Sequence, residues 1–283
     1  MSTIFSDCTV AVRGGGDLAS GTIHRLVRCG FPVLVLEIPR PSAIRRQVAF
    51  CEAVYDQTAS IEGVTCRRAQ SLEQAKKIMA AGEAALLVDP LCRVLEQFRP
   101  WALVDAILAK KNLGTSRAMA DKTIALGPGF HAGQDVDLVI ETKRGHNLGR
   151  IITEGCAAPN TGVPGIIAGY GKERVIHAPS AGTIHPVVSI GDRVTRGQVL
   201  ASICGPSGKT PVLASITGLL RGMIRDGYPV TEGLKIADID PREEEYDNCF
   251  TISDKARCIA GSVLAGLLYL EQRKTAGGTH DKL

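Results

Sequence analysis

Short apolar runs alternate with stretches of helical spacing through the first half of this chain. Residues 9–13 form one such run and end in Gly14-Gly15-Gly16. Residues 18–29 then carry Leu18, Ile23, Leu26 and Val27 at helical intervals, and Gly30 closes the segment. Residues 31–38 are rich in Val and Leu, as a strand buried on both faces requires. Helices are expected over 42–50, opening at Ser42, and over 71–81, with Ser71 as the cap. Further strands are expected over 84–88, 122–126 and 136–141, while 102–110 reads equally well as strand or helix. The alternation predicts an α/β domain on a doubly wound, Rossmann-like parallel sheet.

Residues 142–173 break this rhythm with seven glycines. Long glycine-rich loops inside a compact domain are usually functional or disordered, and the Ile151-Ile152 and Ile166-Ile167 pairs favour order here. A repeat follows. Residues 178–203 recur without a gap at 214–239, and eight of 26 positions are identical. About two matches are expected by chance at ordinary residue frequencies. Three of the matches are glycines, Gly182/Gly218, Gly191/Gly227 and Gly197/Gly233. The pattern resembles the barrel-sandwich domain that carries biotin or lipoate. The junction at 204–213 holds one lysine, Lys209, between Gly208 and Thr210. That is not the small or methionine setting of a modified lysine, so neither biotin nor lipoate is expected. A C-terminal helix over 253–273 presents Ile259, Val263, Leu264, Leu267 and Leu270 on one face, and 275–283 reads as a frayed tail. The expected fold is thus a Rossmann-like sheet domain (1–172), a small all-β barrel-sandwich-hybrid-like domain made of the duplicated hairpin unit (173–242), and a C-terminal helix with tail (243–283). That helix is expected to pack on the α/β domain or on a second subunit, which makes a homodimer an expectation.

Composition narrows the function classes. The 283 residues are 45% hydrophobic and 22% charged, the range of a globular protein. A formal charge of +4 and 4% aromatics argue against a nucleic-acid partner. The longest apolar stretch, 259–270, is short of the roughly 20 residues that span a bilayer, so no membrane partner is expected. No basic and then apolar leader opens the chain. Nine scattered cysteines without CxxC spacing suit a reducing, cytoplasmic location and predict no metal site.

Three constellations carry candidate chemistry. Gly14-Gly15-Gly16-Asp17-Leu18-Ala19 fits G-x-G-x-x-A between a strand and a helix. Glycines let backbone approach a phosphate, and a helix start offers free N–H groups. Glu37 closes the next strand, where an acid can accept from ribose hydroxyls. Asp17 places negative charge at the loop, and the bland alternative is a tight turn without a ligand. Lys110-Lys111-Asn112 beside Gly114-Thr115-Ser116 can hold phosphate or can be a solvated helix end. Glu141 to Asn147 leaves a strand end with Arg144 and His146, candidates for anion contact and acid–base work. Cys156, in the glycine-rich loop, is a candidate nucleophile or a plain inert thiol.

Several stretches together resemble one family over nearly the whole chain. They are RGGGDLASGTIHRL at 13–26, IPRPSAIRRQVAFCEAVY at 38–55, VDAILAKKN at 104–112 and the run at 126–150, with PNTGVPG at 159–165 and GLKIADIDPR at 233–242. The chain is similar to the YqeB family of accessory proteins for selenium-dependent molybdenum hydroxylases. That resemblance implies maturation of such an enzyme, with the hydroxylase or its molybdenum cofactor as partner. It supplies no catalytic residue. Three readings follow: a maturation protein binding a nucleotide or molybdenum-cofactor species at the glycine loop, an NAD(P)-dependent oxidoreductase, and a docking or scaffold protein.

Overall fold

A computed structural model describes residues 5–160, 162, 165–206 and 208–275. The expected tail at 275–283 lies outside them from residue 276 on, as do Thr161, Val163 and Pro164 of the PNTGVPG stretch. The chain forms two compact units: Met1–Pro41, Ala49–Asn160 and Ile252–Leu283 make the first, Ser42–Val48 and Thr161–Thr251 the second.

The first unit is built on nine strands. In chain order these are β1 (Val10–Arg13), β2 (Val33–Glu37), β3 (Thr58–Ile61), β4 (Val64–Arg68), β5 (Ala84–Val88), β6 (Ala102–Asp105), β7 (Thr123–Leu126), β9 (Leu138–Ile140) and β10 (Ile151–Ile152), and they lie in the order β10-β9-β7-β6-β1-β2-β5-β4-β3. A separate two-stranded ribbon pairs β8 (His131–Ala132) with β11 (Gly155–Cys156). The seven central strands run parallel, whereas β10 pairs antiparallel with β9 and β3 antiparallel with β4. Val10, Leu34, Leu86, Leu103 and Ile124 are fully buried, as a sheet covered on both faces demands.

Helices supply that cover. They are α1 (Asp17–Arg28), the one-turn α2 (Ala53–Asp56), α3 (Leu72–Ala80) and α4 (Asp254–Thr275). Ser71 caps α3 by accepting from the Gln74 N–H at 3.2 Å, and Ile78 and Met79 bury against Leu34, Leu36 and Leu87. α4 buries Ile259, Val263 and Leu267 within its own unit. Gly21 of α1 lies so close to Ala256 that a Cβ there would sit 2.8 Å from the Ala256 carbonyl oxygen. A mid-helix glycine costs roughly 1 kcal/mol; here it lets α1 and α4 meet. The far end of α4 is tied by Lys122–Glu271 at 2.6 Å and Lys274–Asp121 at 3.2 Å.

The second unit holds two four-stranded antiparallel sheets. Its strands are β12 (Val175–His177), β13 (Gly182–Pro186), β14 (Arg193–Val194), β15 (Val199–Gly205), β16 (Gly208–Leu213), β17 (Gly218–Met223), β18 (Pro229–Val230) and β19 (Lys235–Asp240). One sheet runs β12-β19-β17-β14 and the other β16-β15-β13-β18. Strands of the two copies begin 36 residues apart, and each copy lends its short middle strand to the other copy's sheet. Gly182 and Gly218 occupy matching places, at φ +152° and +157°. A Cβ on the first would press on the Cys204 carbonyl, and one on the second on the Asp240 carbonyl. Lys209 sits in β16 opposite Cys204.

The expected fold is corrected on two counts. The large sheet is mixed rather than the Rossmann-like parallel sheet of the sequence reading. The duplicated segment is a pair of small antiparallel sheets rather than the barrel-sandwich-hybrid-like domain. Apolar runs report burial but not strand direction, and the edge strands β3 and β10 carry too little apolar signal to be seen. The helix expected over 42–50 is also absent. Two 3-10 turns, Arg46–Val48 and Phe50–Glu52, stand there instead. Residues 42–48 lie along β17: Met223 N–H donates to Ile44 at 2.9 Å, and Arg46 Nε donates back to the Met223 carbonyl at 2.8 Å.

Candidate functional site

Strand order fixes where a ligand can enter the first unit. The chain leaves β1 for β2 on one side and later returns as β6 on the other. In open α/β sheets the crevice outside the carboxyl ends at such a reversal is the usual binding place. The loop after β1 and the loop after β6 both open there.

The three glycines of the first loop have different duties. Gly14, at φ +95°, lies against the backbone of Ala106 and Ile107. The Gly15 N–H donates to Glu37 Oε2 at 2.7 Å, and its carbonyl accepts from Cys51 N–H at 2.8 Å and Ser20 Oγ at 3.2 Å. Only Gly16 faces open space, with no atom within 4 Å of where a Cβ would stand. It is the N-cap of α1 and makes no side-chain cap bond. The intrahelical ladder opens with the Ser20 N–H donating to the Gly16 carbonyl at 2.8 Å, and the positive end of the helix dipole lies at this start.

Glu37 is buried and serves the loop. Its second oxygen accepts the Ile38 N–H at 2.7 Å, so both oxygens hold backbone. Burial raises its pKa above the ordinary carboxylate value, and the N–H bonds from Ile38 and Gly15 offset part of that rise. Three other strand-end acids act alike. Asp89 accepts Val94 N–H, Asp105 accepts Ile107 N–H, and Glu141 accepts the N–H groups of Lys143 and Ala158.

The lysine loop is fastened from beneath. Arg13, buried at the end of β1, donates to Thr115 Oγ1 at 2.9 Å and to the carbonyls of Leu113 and Pro90 at 3.0 and 3.1 Å. Thr115 Oγ1 in turn donates to Asp105 at 2.6 Å. Burial pushes the Asp105 carboxyl up, against the bonds from Thr115 and Ile107 and the Arg13 charge. Asn112 closes the loop by accepting from Gly114 and Thr115 N–H, so its side chain is not offered to a ligand. Lys110 and Lys111 are exposed, and Lys110 is held at φ +63°. Gly129 makes room for them, since a Cβ there would lie 2.5 Å from the Lys111 nitrogen.

Arg144 forms a two-point ion pair with Asp254 at 2.8 and 2.9 Å. His146 and Cys156 are exposed, the latter in the two-stranded ribbon with His131. Among the described residues no group of three or more His, Cys, Asp or Glu side chains converges as a metal site would. No helix among them is long and apolar enough to cross a membrane. Sequence reasoning missed Arg13, Asp105 and Lys255. Lys255 lies in the first turn of α4, and burial, followed by the Arg144 charge, lowers its pKa; Asp17, Glu141 and Asp254 oppose the shift. Its signal in the sequence is faint, one of two lysines on α4 with no motif around it.

No family model matches the chain. Two solved structures show a faint likeness. A succinylglutamate desuccinylase/aspartoacylase from Rhodobacter sphaeroides is 16% identical at a TM-score of 0.27, over 82% of this chain and 85% of that one. An aspartoacylase family protein from Mesorhizobium loti is 13% identical at 0.28, over 82% and 84%. Scores this low transfer neither fold nor chemistry. In sequence, the chain is 50% identical over 262 residues to the uncharacterized protein YqeB of Escherichia coli (strain K12). The match covers 92% of this chain and 47% of that protein, so the chain spans about half the length of its relative. With half its residues shared across nearly its whole length, this chain belongs to the YqeB family.

Proposed function

We propose that this chain is an accessory protein that binds an anionic cofactor species during maturation of a selenium-dependent molybdenum hydroxylase. The bound species is a nucleotide or the pterin–nucleotide form of a molybdenum cofactor. The observation that carries the binding part is the start of α1: an uncapped helix end whose Gly16 opens onto free space, at the reversal point of the sheet. Lys110 and Lys111 on the neighbouring loop supply cationic contacts to the same anion. The maturation part rests on the resemblance to the YqeB family. The oxidoreductase reading is weaker, because the acid it needs for ribose hydroxyls, Glu37, already holds Gly15 and Ile38 with its two oxygens.

Gly16→Asp tests the site cleanly. An aspartate at this N-cap has room and can cap the helix start, a change worth roughly a few tenths of a kcal/mol of helix stability. The folded protein is therefore expected to survive while the anion site is filled by the carboxylate. Calorimetric titration with ADP and with molybdopterin should show binding by the native chain and at least tenfold weaker binding by Gly16→Asp. Equal binding by both proteins removes the site.

A further inference from the structure

The first turn of α4 is held from two sides within the first unit. From the loop after β9, Arg144 makes its two-point ion pair with Asp254, and Cys258 Sγ donates to the Leu148 carbonyl at 3.5 Å. From α1, Gly21 meets Ala256 at backbone distance. Lys255 lies between Asp254 and Ala256 and is half-buried there. Its amine is within charge range of Asp17 on α1, Glu141 at the end of β9, Arg144 on the loop beyond it and Asp254 on its own helix.

A lysine taken out of water is usually paired. Lys122 shows that structural arrangement: its buried amine pairs with Glu271 at 2.6 Å and lies 4.1 Å from the centre of the Trp101 ring. Lys255 does not follow it. Among the described residues its amine takes part in no hydrogen bond or ion pair, although three carboxylates stand near. Two of the three are already engaged. Both oxygens of Asp254 bond to Arg144, and the two oxygens of Glu141 accept the Lys143 and Ala158 N–H groups at 2.7 Å. Arg144 thus acts twice: it takes up the acid next to Lys255 in sequence, and it adds a like charge beside the amine. Desolvation and a neighbouring cation are the settings that activate a lysine amine as a nucleophile.

We propose that Lys255 is a nucleophilic amine, kept out of ion pairs by Arg144, that forms an imine with the carbonyl group of a small aldehyde or ketone. The lone pair of the neutral amine adds to the carbonyl carbon. The carbinolamine so formed loses water, which carries away the carbonyl oxygen and the two amine hydrogens, and a C=N bond replaces the C=O bond. No oxidant or reductant is consumed. This chemistry needs no phosphate and is independent of anion binding at the start of α1.

Propanal with sodium cyanoborohydride tests it, because the reductant converts each imine as it forms into a stable N-propyl-lysine that peptide mass spectrometry locates. At neutral pH the full chain should be propylated at Lys255 faster than an N-acetyl-lysine amide reference in the same solution, by about fivefold or more, although the residue is half-buried. A smaller advantage, or none, marks a shielded structural lysine and overturns the proposal. Arg144→Gln removes the neighbouring cation and leaves Asp254 to pair with Lys255. Arg144 is exposed, so this variant is expected to fold, and circular dichroism checks that it does. It should propylate Lys255 at least threefold more slowly than the native chain, with Lys274, at the other end of α4, labelled as before. An Arg144→Gln variant that labels Lys255 at the native rate also overturns the proposal. Equal phosphate binding by the native chain and Gly16→Asp would remove the anion site and leave a fast, Arg144-dependent Lys255 standing.

Discussion

Glu37, Asp89, Asp105 and Glu141 each end a parallel strand, and each accepts a backbone N–H from the loop that follows it. A carboxylate in that position organises the binding edge from within rather than facing a ligand. The spacing of Glu37 from the glycine loop was legible in the sequence, but its duty was not, because an acid at a strand end looks the same whether it faces a ribose or its own loop. Asn112 repeats the lesson: its place beside two lysines suggests phosphate, whereas its side chain closes a turn. Lys255 was invisible for the opposite reason. Its setting is made by Asp17, Glu141 and Arg144, which only the folded chain brings to α4. Burial first, and the Arg144 charge second, favour its neutral form. A lowered lysine pKa means that more of the amine is neutral at a given pH, and reactivity with amine reagents follows the neutral form. The midpoint of the pH profile for labelling Lys255, read by peptide mass spectrometry, should fall below that of a free lysine side chain in an N-acetyl-lysine amide reference. The midpoint is independent of how fast reagent reaches the residue, and coincident midpoints would refute the shift.

At the scale of elements, the repeat shows how well glycine spacing reports structure. The matched glycines Gly182 and Gly218 stand out in the sequence as repeat positions, and both are places where backbone meets a carbonyl at a φ that other residues avoid. Strain of this kind costs about 1–3 kcal/mol at a residue with a side chain, and contact with the carbonyl adds to it. Gly182→Ala and Gly218→Ala should each lower stability by about 2–4 kcal/mol in urea unfolding followed by circular dichroism. A loss under about 0.5 kcal/mol in either variant would mean that the two copies are not built alike. The segment 42–48 went the other way. The Ser42 start reads as the opening of a helix over 42–50, yet the backbone of 42–48 bonds to β17 and Arg45 donates to the carbonyls of Asn248 and Thr251. Partners two hundred residues away decide that conformation, and local periodicity cannot register them.

For the molecule as a whole, the alternation of elements located β1, β2, β5, β7 and β9 and left β6 open between strand and helix, while β4, the direction of the edge strands and the division into units came only with the structure. The sequence breaks the first unit twice, at 42–48 and at 161–251, so no single boundary along the chain separates the two units. What the whole arrangement offers is one edge of a mixed sheet where the chain reverses direction. The start of α1, with Gly16 opening onto free space, and two exposed lysines lie there on loops fastened by buried polar contacts. The central claim is that this edge binds a phosphate-bearing ligand through the start of α1. Amide chemical shifts followed by NMR during titration with ADP test it most directly. The account predicts that the largest shifts fall on the N–H groups of residues 16–19 and saturate together. Shifts that stay within noise at millimolar ADP, or that are largest away from residues 16–19, would contradict it.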